Sequence, residues 1–334
     1  MADPPSRTEW NGRTALVTGA QGFIGSWLAE RLLDLGTEVV VLRRDVEPES
    51  RFVTDGIGER CVQVPADVTD YHEVVRTLNE HDVDSVFHLA AQTIVGTANR
   101  SPLSTFETNV RGTYMLLEAC RAVGVVGDPL DRVVVASSDK AYGDHEELPY
   151  REDFALQPRF PYDVSKACTD LIARSYATTY GLPVAVTRLG NVYGGGDLNW
   201  SRLVPETARA LATGHRPVLR SDGSPERDYL YVEDAVEAYL AVAGSLDRPE
   251  LRGRGWNVGW GRPLSVRALV EAMVGAAGAD VEPDVQGEGV PAGEIDRQYL
   301  DSTAIREEIG WEPRHSLEEG LGLTYRWYAE RLGG

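Results

Sequence analysis

The sequence predicts an α/β protein, built as a doubly wound parallel sheet with a smaller C-terminal substrate-binding lobe, and three observations lead to that prediction. Short runs that are apolar throughout recur along the first 190 residues, separated by segments of helical period; strands apolar on both faces belong to a parallel sheet covered on both sides. The first such run, RTALVT at 13–18, leads into a glycine-rich turn, Thr18-Gly19-Ala20-Gln21-Gly22-Phe23-Ile24-Gly25, that opens a helix in the Rossmann manner. Beyond Gly194 the alternation breaks up and glycine and proline become frequent, as in GGGD at 194–197 and VPAGE at 290–294.

After the turn, Leu28, Leu32 and Leu35 share one face of a helix over 24–35. Strands are predicted at 38–42 and 61–64. A helix over 71–79 then leads to a strand at 85–89, and a long helix follows at 103–123. A strand at 132–136, a second long helix at 162–180 and a sixth strand at 184–187 complete the alternation. Further helices are predicted near 204–212, 232–245, 265–277 and 317–331, and the apolarity of DYLYVEDAVEAYL (228–240) predicts that this stretch returns to the main sheet. The expected division is a dinucleotide-binding domain over 1–190 and, over 191–334, mainly a substrate-binding lobe. The return of the segment near 228–245 makes that lobe discontinuous.

The chain carries 33 basic and 52 acidic residues, a net charge of −19. Such a surface repels phosphate backbones and anionic lipid, which argues against nucleic acid and membrane as partners. No signal-type segment and no run of about 18 apolar residues occurs, and the expected location is the cytoplasm. Cys61, Cys120 and Cys168 fall within predicted strands or helices without close spacing and read as buried reduced thiols. The six histidines show no metal-ligand spacing, so no metal site is expected.

In the glycine turn, Gly19 permits the tight bend and Gly22 lets backbone approach a pyrophosphate. Gly25 lets the helix pack close to the sheet, with Gln21, Phe23 and Ile24 completing the cradle. The second strand ends Leu42-Arg43-Arg44-Asp45. Asp45 suits the ribose 2′-hydroxyl of NAD, whereas Arg43 and Arg44 suit the 2′-phosphate of NADP; NAD is the preferred reading. Asp67 and Val68 are placed to meet the adenine, and Ala90 and Ala91 to lie under the pyrophosphate and ribose.

Tyr162 and Lys166 are four residues apart on one helical face, where an ammonium lowers the phenol's pKa and fits it to take a proton from a hydroxyl losing hydride. Ser137-Ser138-Asp139-Lys140 ends the preceding strand, where a hydroxyl reaches the reacting oxygen. The glycine turn, HLAAQ at 88–92, TNVRGT at 108–113, SSDKAYG at 137–143, PYDVSK at 161–166 and RLGNVYGGGD at 188–197 together resemble the extended short-chain dehydrogenase/reductases that act on nucleotide sugars, over about 13–330. The resemblance implies a catalytic set of Ser138, Tyr162 and Lys166, with Asn109 as the supporting asparagine at the cofactor. Asp139-Lys140 is most similar to the CDP-glucose 4,6-dehydratases, while 221–235 looks more like the dTDP-glucose enzymes and epimerases.

These features imply a nucleotide-sugar 4,6-dehydratase: Tyr162 takes the 4-hydroxyl proton as hydride leaves C4, Lys140 removes the C5 proton, and Asp139 protonates the departing 6-hydroxyl. The rival is a 4-epimerase; a sugar-acid decarboxylase and a non-catalytic NAD(P)-sensing regulator are lesser alternatives. By resemblance, Arg227 and Arg297 match positions where the family holds the substrate's diphosphate, with Asn191 as a further donor. Arg188, Arg202 and Arg220 read either as neighbours of that site or as surface residues. The loop over 194–203, with Trp200, either closes on the sugar nucleotide or packs structurally. By resemblance, the helices at 103–123 and 162–180 pair with a second copy in a homodimer.

Overall fold

The computed structural model describes residues 7–124, 130–289 and 295–333; the VPAGE segment therefore lies outside the described residues. The strands, in chain order, are β1 (Thr14–Thr18), β2 (Glu38–Leu42), β3 (Val62–Val64), β4 (Ser85–His88), β5 (Arg132–Ala136), β6 (Val184–Leu189), β7 (Asn191–Tyr193), β8 (Val218–Leu219), β9 (Glu226–Tyr231), β10 (Gly255–Val258), β11 (Pro263–Ser265), β12 (Asp284–Val285) and β13 (Arg297–Gln298). The principal helices are α1 (Phe23–Asp34), α2 (Tyr71–Glu80), α3 (102–124), α4 (Pro161–Tyr180), α5 (Leu203–Ala212), α6 (Val232–Ser245), α7 (Val266–Ala276) and α8 (Leu317–Leu332).

Seven strands form one parallel sheet in the order β10-β6-β5-β4-β1-β2-β3. Successive residues of a strand face opposite sides, which is why these runs are apolar throughout. Val17, Val41, Val134 and Ala185 meet α1 and α6 on one side. Leu16, Val40, Val133 and Val184 meet α2, α3 and α4 on the other. The strand order reverses between β1 and β4, and the crevice beyond their carboxyl ends is where such sheets bind ligands. A second core, with Val204, Leu269, Met273, Leu321 and Tyr328, joins α5, α7 and α8 to the aromatic residues of β7 and β9.

The strand pairing, the seventh strand and the thiols differ from the sequence reading. β9 does not join the main sheet; it pairs with β7, β11 and β13, while α6 immediately after it packs on β5 and β6. The seventh main-sheet strand is β10, which carries a glycine and an asparagine and has no continuous apolar run. The long helix α3 contains a π-turn at Glu107–Arg111, which carries Asn109 inward to full burial. Of the three thiols, all free, Cys120 is buried but Cys61 and Cys168 are half-buried, and Cys61 precedes β3. No described helix is long and apolar enough to cross a membrane, and no metal-type cluster occurs among the described residues.

Candidate active site

A cavity of about 1100 Å³ opens along the carboxyl ends of the main strands. At one end stands the glycine turn. Gly19 has φ +75°, and a Cβ there would meet the backbone of Leu89 and Ala90 at 2.8 Å; a Cβ on Gly25 would collide with the Gly19 carbonyl oxygen. The turn is thus closed on itself and on the end of β4. It presents the N-terminus of α1, capped by Gly22 with no side-chain bond, to the cavity. Phe23, Ile24, Asp67, Val68, Ala90 and Ala91 line it. Gln21 lines it too, and its amide clamps the loop after β2, donating to the Asp45 carbonyl at 2.8 Å and accepting from the Glu47 amide at 3.1 Å.

Arg44 and Asp45 reach the cavity as an exposed pair at 2.6 Å, but Arg43 does not line it and leans toward Gln63. Asn109 does not line it either. Its Oδ1 accepts from the Gln92 amide at 2.7 Å and its Nδ2 donates to Ser165 Oγ at 2.9 Å, tying the end of β4 to the helix that carries Tyr162. Asn109 is therefore a positioning residue here. Behind it, His88 bridges Thr18 and Thr113 at 2.8 and 3.0 Å, and burial pulls its pKa down to about 3. This neutral imidazole holds β1, β4 and α3 together beneath the cavity.

At the other end, α4 presents Tyr162, Asp163 and Lys166. Lys166 Nζ donates to the Ala136 carbonyl at 2.8 Å, and burial lowers its pKa to about 8. Burial pushes the Tyr162 phenol up to about 12; Arg202 opposes this, Asp139 and Asp163 add to it, and a hydrogen bond with Ser138 opposes it. Arg202 is thus a cation acting on the phenol, while the Lys166 that the helical spacing suggested is held on the Ala136 carbonyl. Ser138 Oγ donates to Asp139 Oδ1 at 2.9 Å. Asp139 is 3 % exposed, burial raises its pKa against the pull of Lys140, and its Oδ2 has no hydrogen-bond partner. Lys140 Nζ donates at 2.8 Å to Oε1 of the fully buried Gln298. Sequence reasoning missed Asp163 and Gln298: the first lay inside a quoted motif, and the second gave no local signal.

Of the expected substrate contacts, Asn191 and Arg227 line the cavity; Arg227 Nη1 is anchored on the Glu226 and Asp296 carbonyls at 2.9 and 3.0 Å. Arg297 does not line it: half-exposed, it pairs with Glu226 at 2.6 Å. Arg188 is fully buried on Asp170 at 2.7 Å and belongs to the core. Arg202 and Arg220 do line the cavity, paired with Asp197 at 2.9 Å and with Glu206 at 2.5 Å. Trp200 stays outside it, edge-on to Tyr328 with Arg209 over its ring, a packing role.

Sheet order, glycine turn and the Ser138/Tyr162/Lys166 grouping define an extended short-chain dehydrogenase/reductase of the nucleotide-sugar epimerase and dehydratase branch. The family profile described as GDP-mannose 4,6 dehydratase matches residues 16–324, and the chain belongs to that family. It is 31 % identical to the CDP-glucose 4,6-dehydratase of Salmonella typhimurium, covering 97 % of this chain and 93 % of that one. It is 34 % identical to the UDP-glucose 4-epimerase of Mycolicibacterium smegmatis, covering 95 % and 98 %. Among solved structures, a dTDP-glucose 4,6-dehydratase from Streptomyces venezuelae with NAD bound superposes with a TM-score of 0.82 at 32 % identity, covering 95 % and 97 %.

Proposed function

We propose that the chain is an NAD-dependent nucleotide-sugar 4,6-dehydratase, turning a nucleoside-diphosphate hexose into its 4-keto-6-deoxy product. The observation that carries this reading is Asp139: a buried carboxyl, raised above the usual carboxylate range, with one oxygen unpartnered, beside Ser138, Tyr162 and Lys166. Inverting C4 requires no such acid; expelling the 6-hydroxyl does. The dehydratase relatives support it, and the identity to a 4-epimerase is the observation favouring the second reading, C4 epimerisation.

The residues fit NAD. The Gly19 and Gly25 cradle, the open N-terminus of α1 and the acidic Asp45 and Asp67 suit a pyrophosphate and an unphosphorylated adenosine ribose, and Arg43 stands outside the cavity. When bound, NAD would supply the acceptor for the C4 hydride and the source of its return at C6. Tyr162 receives the 4-hydroxyl proton, Ser138 orients that oxygen, and Lys166, held on the Ala136 carbonyl, would hold the nicotinamide ribose. The ketone acidifies C5–H, a base beside Asp139 takes that proton, and Asp139 protonates the departing 6-oxygen. One turnover leaves Tyr162 one proton richer and Asp139 one poorer. Ser138, bonded to Asp139 and to the phenol, stands between them as the return path. Arg227, Arg202, Arg220 and Asn191 form the wall facing the diphosphate.

A second copy of the chain is the expected partner. Leu103, Tyr114, Leu171 and Tyr180 on α3 and α4 are 72, 38, 54 and 58 % exposed, an apolar face for a helix-to-helix homodimer. Mass analysis after incubation with CDP-, dTDP-, GDP- and UDP-hexoses tests the activity, with a product one water lighter expected. Inversion at C4 at unchanged mass would sink the dehydratase reading and leave the epimerase.

A further inference from the structure

Asp163 follows Tyr162 in the first turn of α4, a place where a carboxylate ordinarily sits in solvent, helped by the helix dipole. Here it is 5 % exposed, lines the cavity with Ser138, Asp139, Lys140 and Tyr162, and makes no hydrogen bond or ion pair among the described residues. Carboxylates are rarely buried without partners, and this one is turned toward the space where a sugar would sit. The charged groups that face it are Asp139 and Lys140, both from the turn after β5. Lys140 meanwhile donates to Gln298 and lies within Coulombic reach of both carboxyls.

We propose that Asp163 is a catalytic base of the elimination, taking the C5 proton, and that Lys140 serves as the charge that keeps Asp163 ionised. The assignment rests on the dehydratase reading. The C5–H bond breaks, its proton goes to Asp163, and its electron pair becomes the second bond between C5 and C6 as the C6–O bond breaks. The leaving oxygen takes the Asp139 proton and departs as water. When hydride adds at C6, that pair moves to C5 and recovers the proton from Asp163. Two carboxyls in one cavity thus hold opposite protonation states. Burial brings Asp163 to about 6, so it is mostly ionised at neutral pH and matched to proton exchange there, while Asp139 is the more buried of the two.

The test follows the nucleotide-hexose that the wild type dehydrates, in deuterated water. Three signals are read: transient nicotinamide reduction, deuterium at C5 and water loss. Asp163→Asn is expected to keep the nicotinamide transient while water loss and C5 exchange fall at least about 100-fold, with Asp163→Glu restoring part of both. Lys140→Met is expected to slow the reaction and move the acid limb of the rate profile, near pH 6, to higher pH. Asp163→Asn within threefold of wild type, together with loss of C5 exchange in Lys140→Met, overturns the assignment and makes Lys140 the base. A wild type that loses no water from any of the four hexoses fails earlier, at the dehydratase reading, and takes the assignment with it.

Discussion

Replacing Arg188 by methionine keeps most of the buried volume but removes the cation that meets Asp170 through two bonds, Nε to Oδ2 at 2.7 Å and Nη2 to Oδ1 at 3.0 Å, with both side chains fully buried. Removing one partner of such a pair costs roughly 3–5 kcal/mol, because the remaining charge stays buried. Asp170 retains a second cation, Arg174, at 3.6 Å on the partly exposed side, which places the expected loss near the lower end, about 3 kcal/mol. For a chain of this length that is a fall in melting temperature of roughly 4 °C. Urea unfolding at pH 7 measures it, with KM for the nucleotide sugar as the second readout. A double variant, Arg188→Met with Asp170→Leu, is expected to regain much of the loss, since neither charge is then stranded. A stability loss under about 1 kcal/mol with a raised KM would refute the core placement and return Arg188 to the substrate.

Gly25→Ala forces its new Cβ into the Gly19 carbonyl; cofactor affinity by fluorescence titration is expected to fall at least about tenfold, with roughly 1–3 kcal/mol lost from the fold. His88 is held neutral at about 3 against 6.5 in the unfolded chain, so the unfolded state binds the extra proton between these values. Its contribution is complete above pH 6.5 and is lost as pH falls toward 3, about 2 kcal/mol of it between pH 7 and 5. Denaturant midpoints at the two pH values, in wild type and His88→Gln, check this; equal slopes count against it. Leu171→Asp is expected to convert a dimer to a monomer in sedimentation, and a wild type that is monomeric removes the proposed interface.

Helix and strand positions were legible wherever one period dominates. α6 matches its expected range of 232–245, and α4 and β2 match theirs to within a residue, because each buries a continuous stripe or both faces. The misplaced return of 228–231 shows where periodicity stops. An apolar run announces that β9 is buried but not in which sheet, and the small second sheet buries Leu230 as fully as the main one would. β10 escaped because Asn257, fully buried in it, reads as a turn residue. Its polarity is met only in three dimensions, by the Tyr142 hydroxyl at 2.7 Å and the Tyr150 carbonyl at 2.8 Å.

The site divides along the same line. The glycine turn and the Tyr162/Lys166 spacing are local, so their geometry follows from one turn or one helix. The cations were ambiguous because an arginine's role depends on which carboxylate reaches it. Asp170 takes Arg188 from a neighbouring helix, Glu226 takes Arg297 from the adjacent strand, and Arg202, with its own partner Asp197 five residues back, still faces the phenol. Asp163 is the extreme case. Its place in the first helical turn reads as a solvated dipole partner, and nothing within four residues contradicts that. Only the arrival of residues 138–140 from β5, held in turn by Gln298 on β13, makes it a buried carboxyl beside a cation and a second acid. Protonation states in one cavity are set by what surrounds each group. Local sequence therefore names the titratable groups, and only the meeting of three distant segments gives each its surroundings.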